Sequence, residues 1–308
     1  MLRFEFTYND KTSEERKDVL AASLDCELDV PADSLVLACP FDPKLRETDR
    51  VRAFDGDNIV FEGQADEITN EIKPRGMITR LSLRSLAAGL LDNEAEPVMY
   101  INPSAEMIFT KHLKPYGIKS YKAGEPQLRG TLRIGKGMTH WQVYENFCRN
   151  AFGAVPKIDS EGTAWFGGVK KPGLICFGND GLGYFSVKEK LKRCKLISAV
   201  RVKLNDTARY TGVIKNELPE AENIERVRLV DAVADKSSIE TADKIIAHGN
   251  RESYILELEC AGCCSDLLGR EAKLDDNFLG VIEGLIVSRV KFIADSKGER
   301  SYIELRKL

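Results

Sequence analysis

One pattern in this chain is written twice. Glu62-Gly63 lies over Glu283-Gly284 and, after one inserted residue, Leu81, Leu83, Arg84 and Leu86 lie over Ile303, Leu305, Arg306 and Leu308. Each copy has a strand ending in an Asp-rich turn, a strand broken by glycine, and a third strand after a second turn at Lys73–Gly76 or Asp295–Gly298. That is the pattern of a β-meander, with Gly63 and Gly284 expected at bulges or corners where a sheet coils. Any two antiparallel meanders share alternation and turn residues. The Leu-x-Leu-Arg-x-Leu ending, with Ile as its first residue in the second copy, sets this match apart. A meander at each end and unlike sequence between them predict two similar small antiparallel β-barrels flanking a middle α+β domain, a mainly β fold.

Size agrees with more than one core. The 308 residues exceed the roughly 250 at which single cores stop growing, so two or three domains are expected. Hydrophobic residues at 43% and charged ones at 30% read as an ordinary soluble protein. No apolar run approaches the roughly 18 residues of a membrane span, so no membrane partner is expected. The start, Met-Leu-Arg-Phe-Glu-Phe-Thr-Tyr, alternates acidic and aromatic residues where a signal peptide needs an apolar segment, and reads as a first strand. A net charge of −3 argues against nucleic acid as the main partner, because neutralising phosphates takes a cationic excess. The eight cysteines read as reduced thiols used as small hydrophobes.

Along the chain, strands are expected at Leu2–Tyr8, Val19–Val30 and Ser34–Cys39, with a polar turn at Asn9–Lys17, before the first meander. A short helix ending near Asp92-Asn93 closes a first barrel domain, residues 1–95. The middle domain, 96–183, opens with extended Pro97–Asn102 and a helix started by Pro103-Ser104 and stopped at Pro115 and Gly117. It continues with a strand at Leu128–Ile134. Thr139 then caps a helix bearing Trp141, Tyr144, Phe147, Cys148 and Phe152, and a hairpin turns at Asp159–Gly162. From Tyr184 the strands Phe185–Glu189, Ile197–Leu204, Tyr210–Asn216 and Ile224–Val230 read as a second barrel, 184–308. A turn at Asn205–Thr207 and one helix, capped by Ser237 or Ser238 and stopped at Gly249, fall within it.

The sequence supports no catalytic mechanism. Cys260, Cys263 and Cys264 form the one metal-like cluster, but a structural zinc site needs four ligands, no second Cys-x-x-Cys follows, and His112, His140 and His248 are scattered. A tight glycine turn with buried thiols fits better, although metal binding stays open there. His140 and Cys148, eight residues apart on a helix, lie about 12 Å apart, too far for a thiolate–imidazole pair. No acidic pair stands in an apolar setting that would split two pKa values. Gly135–Thr139 lacks the glycine spacing and Gly-Lys-Ser/Thr end of a phosphate loop, and reads as a strand-to-helix turn. No catalytic residue, metal or cofactor is therefore expected.

Four stretches in order resemble the baseplate hub proteins of contractile phage tails and related injection machines, the late-control-D-like and defective-prophage tail hub family. They are Arg50–Ile68 with "DGDNIVFEGQADEI", Leu81–Tyr100 with "LSLRSLAAGLLDNEAEPVMY", Leu128–Gly153 with "GKGMTHWQVYENFCRNAFG", and Ile282–Leu308. The resemblance implies a structural protein with two tube-like barrels per subunit. As a homotrimer it forms a pseudo-sixfold ring joining a hexameric tail tube to a trimeric spike. Implied partners are other copies of the chain, tail tube protein, spike protein, and baseplate wedge and tape-measure proteins, with no specific nucleic acid. The implied place is the baseplate of a virion or a phage-tail-like particle such as a bacteriocin, assembled in the bacterial cytoplasm. Some relatives carry an appended lysozyme or peptidase segment and this sequence does not, so wall-degrading activity is expected in another chain. The alternatives are a tail-associated peptidoglycan hydrolase and a carbohydrate- or receptor-binding tail module, the latter for Trp165 and Phe166 beside a turn. If the two copies occupy alternating ring positions, the turns Asp55, Gly56, Asp57, Asn58 and Asp275, Asp276, Asn277, Phe278 are candidate ring contacts.

Overall fold

The computed structural model of the chain describes residues 2–74, 76–125, 130–203, 209–231 and 238–308, and over these the protein is mainly β. Of the expected features, the turn at Asn205–Thr207, the cap residue Ser237 and the strand residue Leu128 lie outside the described residues, as does Arg75 in the turn after Lys73. Two compact units emerge. One comprises Met1–Gly173, Cys260–Arg270 and Ser288–Ile303; the other comprises Leu174–Glu259, Glu271–Val287 and Glu304–Leu308. No helix among the described residues is long and apolar enough to cross a membrane.

In the first unit, β1 (Arg3–Tyr8) alternates outward and inward residues and buries Phe4, Phe6 and Tyr8. β2 (Ser13–Arg16) folds back on it with Thr7 opposite Ser13; its Ser-Glu-Glu-Arg sequence hid it inside the expected turn. β3 (Ala21–Glu27) and β4 (Ser34–Pro40) form a hairpin with Leu24 opposite Leu35. β5 (Thr48–Asp55), β6 (Asn58–Lys73) and β7 (Gly76–Ser85) are the expected meander. β7 also pairs with β4, and β5 with β1. The order β3-β4-β7-β6-β5-β1-β2 has a geometric consequence. Laid flat at about 4.8 Å per strand, its first and last strands would stand about 29 Å apart. Yet β2 and β3 are joined by residues 17–20 alone, and five Cα steps reach at most about 18 Å. The run must curl, and it closes over Leu24, Leu35, Leu37, Val51, Ala53 and Leu81, all fully buried. Each of these leucine and valine side chains contributes about 1.5–3 kcal/mol of apolar burial.

The segment after β7 builds its own core. α1 (Ala88–Asp92) precedes β8 (Val98–Ile101), α2 (Ala105–Ile108) capped by Ser104, and β9 (Ser120–Lys122). β10 (Thr131–Ile134) pairs with β8. α3 (His140–Ala151) starts on a capping box in which Thr139 and Gln142 bond reciprocally. That satisfies two N–H groups at the helix start. Its inner face, Trp141, Val143, Tyr144, Phe147 and Cys148, packs with Ile108, Leu113, Ile134 and Phe166. β11 (Lys157–Ile158) and β12 (Thr163–Trp165) form the expected hairpin, with β12 also parallel to β9. Lys157 is 2% exposed. Its Nζ donates to the Glu27 and Val30 carbonyls and to Asp33 Oδ1, each at 2.7 Å, pinning the β3–β4 turn.

The remaining chain gives β13 (Lys171–Gly178), β14 (Ser186–Leu191), β15 (Ala199–Val202), β16 (Gly212–Lys215), β17 (Val227–Val230), α4 (Ser238–Ser253) and β18 (Tyr254–Ala261). β19 (Arg270–Asp276), β20 (Gly280–Asp295) and β21 (Gly298–Lys307) follow as the second meander. β15, β16 and β17 form a separate three-stranded sheet. Val200, Val202 and Val230 pack there against Ala242 and Ile246 of α4. The sequence placed these three strands in the second barrel; alternation marks a strand but does not say which sheet receives it. β14 pairs with β18 instead. β20 changes partner midway: its first half pairs with β19 and its second half with β3, Arg289 opposite Glu27.

Candidate functional site

The meanders correspond strand for strand, 8, 16 and 10 residues in the first and 7, 16 and 10 in the second. In both, the arginine of the shared ending holds a helix through a carboxylate. Arg84 donates to Asp66 and, at 2.7 Å, to Asp92 of α1. Arg306 donates at 2.7 Å to Glu252 of α4 and to Glu304. The shared arginine therefore pins each meander's last strand to a neighbouring helix.

The paired glycines differ in cause. Gly63 sits in regular pairing between Val51 and Ser85. A Cβ there would lie 2.2 Å from the Arg84 carbonyl oxygen. Gly284 has open space around it but a φ of +67°, and it falls where the β19–β20 register shifts, so it is the bulge expected at both. Their neighbours differ too. Glu62, 6% exposed, accepts from Lys119 Nζ at 2.7 Å with Arg50 and Arg52 within 4.0 Å. Glu283 is exposed.

The first candidate turn is a bare hairpin. Asp55 pairs with Asn58, and Gly56 at φ +58° is the only positive φ of the two central residues, the pattern of a type II′ turn. All four residues are exposed.

The second turn is braced. Asn277–Leu279 form a three-residue loop closing on Gly280 at φ +73°, a left-handed position that favours glycine. Asp276 Oδ1 accepts from the Phe278 and Leu279 amides at 2.8 Å, and its other oxygen accepts from the Tyr184 hydroxyl. These bonds hold the Asp276 carboxyl below its ordinary range, the Tyr184 bond first. The Tyr184 phenol is pushed up to about 12, by burial and then by Asp276. Asn179 donates from its side chain to Asp275 at 3.1 Å and Asn277 at 3.0 Å, and its amide donates to the Asp275 carbonyl at 2.9 Å. Gly178 lies so close that a Cβ would be 1.9 Å from that carbonyl. Phe278 emerges from this scaffold 97% exposed. Sequence reading missed the brace, though the run Gly178-Asn179-Asp180-Gly181 is a turn signal.

Elsewhere, two histidines meet. His112 Nδ1 and His140 Nδ1 lie 3.0 Å apart, one donating and one accepting, and the Tyr100 hydroxyl is 3.3 Å from His112 Nε2. Burial and then His140 push His112 down to about 4, and burial also lowers His140. Sequence separation had hidden this contact. Cys148 is fully buried and its thiol is pushed up by burial. The Cys264 amide donates to Ser301 Oγ at 3.0 Å, and that hydroxyl in turn donates to the Gly262 carbonyl at 2.7 Å. Burial raises the thiols of Cys263 and Cys264, which disfavours the thiolate a metal needs. The described residues hold no group of three or more metal-ligating side chains.

No family model matches the sequence, and no curated protein does. Solved structures match the fold. A tail protein from Neisseria meningitidis aligns with a TM-score of 0.76 at 17% identity, over 99% of this chain and 96% of its own. The 43 kDa tail protein of prophage MuSo2 from Shewanella oneidensis aligns with a TM-score of 0.79 at 13% identity, over 100% and 98%. An Escherichia coli component of the type VI secretion system, itself similar in structure to the T4 bacteriophage tail proteins gp27 and gp5, aligns with a TM-score of 0.57 at 9% identity, over 94% and 74%. The chain therefore has a phage tail protein fold along nearly its whole length.

Proposed function

We propose that this chain is a structural hub of a contractile tail or phage-tail-like particle. In this reading it is a homotrimer whose residues 1–95 and 184–308 act as two tube-like domains around the middle domain 96–183, giving six similar units per ring. The observation that carries the reading is the strand-for-strand repeat of the meander within a tail protein fold. A doubled unit is what a threefold assembly needs to face a sixfold tube on one side and a trimeric spike on the other. The turns Asp55–Asn58 and Asp275–Phe278 are its proposed ring contacts, and tube, spike, wedge and tape-measure proteins its proposed partners. The place of action is the baseplate, reached by assembly in the bacterial cytoplasm. The test is co-sedimentation of the purified chain with purified tail tube and spike proteins. Three copies bound per tube end and per spike trimer are expected; binding to neither would overturn the proposal.

A further inference from the structure

The tip of the second turn has a counterpart elsewhere in the same unit. Leu191, Leu196, Leu218, Tyr254 and Leu308 line an apolar cavity of about 550 Å³. It is open to solvent, with Leu191 65% and Leu308 61% exposed. Arg193 and Lys307 stand at the same cavity, and among its described lining residues Glu220 is the one acidic side chain. Resting on the hub reading, we propose that Phe278 of one copy seats in this cavity of a second copy, with Asp275 and Asp276 facing Arg193 and Lys307.

Three observations carry the proposal. Phe278 is presented in advance, because Asp276, Asn179 and Tyr184 fix its turn; little ordering cost remains on docking. An aromatic ring entering an apolar pocket with opposite charges at the rim has the make-up of a binding hot spot. The turn and the cavity also belong to opposite ends of β14. Tyr184, bonded to Asp276, lies just before its start, while Leu191, at its end, pairs with Tyr254 of the cavity wall. The six residues of β14 alone, Ser186–Leu191, span about 17 Å at ~3.3 Å per step. A phenylalanine side chain does not span that distance, so a chain does not fill its own cavity. A protrusion at one end and a matching cavity at the other make a head-to-tail contact, the kind that closes rings.

The test places a photoreactive benzophenone analogue of phenylalanine at position 278 of the full chain and irradiates a mixture of isotopically light and heavy copies. Crosslinks between copies to peptides carrying Leu191–Leu196, Leu218 or Leu308 are expected. In parallel, Phe278→Ala should raise the dissociation constant for self-association at least about thirty-fold. Lys307→Glu should weaken association, and adding Asp275→Lys should restore it. A stable trimer whose crosslinks fall elsewhere, or one indifferent to Phe278→Ala, overturns this contact and leaves the hub reading standing. A chain that stays monomeric at every concentration overturns both.

Discussion

The two meanders share strand lengths, a glycine position and an arginine that pins a helix, yet they solve their local problems differently. In the first, Gly63 admits a neighbouring backbone and Glu62 is buried among three cations. In the second, Gly284 supplies a left-handed bend and Glu283 faces solvent. The turns diverge further, one a bare hairpin and the other a braced platform holding Phe278 outward. A duplicated scaffold thus carries two unlike surfaces. In the proposed ring, that difference would provide two kinds of junction.

The comparison can be broken at its glycines first. Gly63→Ala drives a methyl into the Arg84 carbonyl at 2.2 Å and should cost about 3 kcal/mol, as overpacking does. Gly284→Ala meets open space and should cost about 1 kcal/mol, for its left-handed backbone alone. Urea unfolding of both variants checks the ranking, and equal losses would mean the two positions are equivalent after all.

The glutamates sharpen it next. Glu62→Gln leaves Lys119, Arg50 and Arg52 facing a neutral group and should lower stability by about 1–2 kcal/mol. Glu283→Gln should stay within about 0.5 kcal/mol of the parent, as exposed substitutions do.

Acid should loosen the second turn. Asp276 titrates below its ordinary value in the folded turn. Its ordering effect is therefore complete above the unfolded carboxylate range near pH 4, and is lost as pH falls through the lower folded value. Amide exchange at Phe278 and Leu279 should quicken over that window. The smallest effect on stability belongs to Phe278→Ala. At 97% exposure it should shift unfolding by less than about 0.5 kcal/mol in free energy, although it removes the side chain proposed to dock.

The meanders were legible because alternation and Asp-Gly or Gly turns fix strand length and register locally. So were the Thr139 cap and the inner face of α3. The β3–β20 pairing was not: Asp25 and Arg289 form a two-pronged ion pair across 264 positions of chain, and no local pattern encodes such a partner. The same limit hid the His112–His140 contact and sent β15, β16 and β17 to the wrong sheet. Of the candidate turns, the residue types were readable and the exposure of Phe278 was not. It depends on the Gly178–Leu182 loop, whose role shows only when that loop lies against Asp275.

Low-dose projection images of the purified chain test most directly whether one chain supplies two of six similar units. A ring about an axial hole, threefold in symmetry with six lobes of two alternating kinds, is the expected result. A particle that stays a single copy on dilution, or a closed ring with three lobes rather than six, would contradict it.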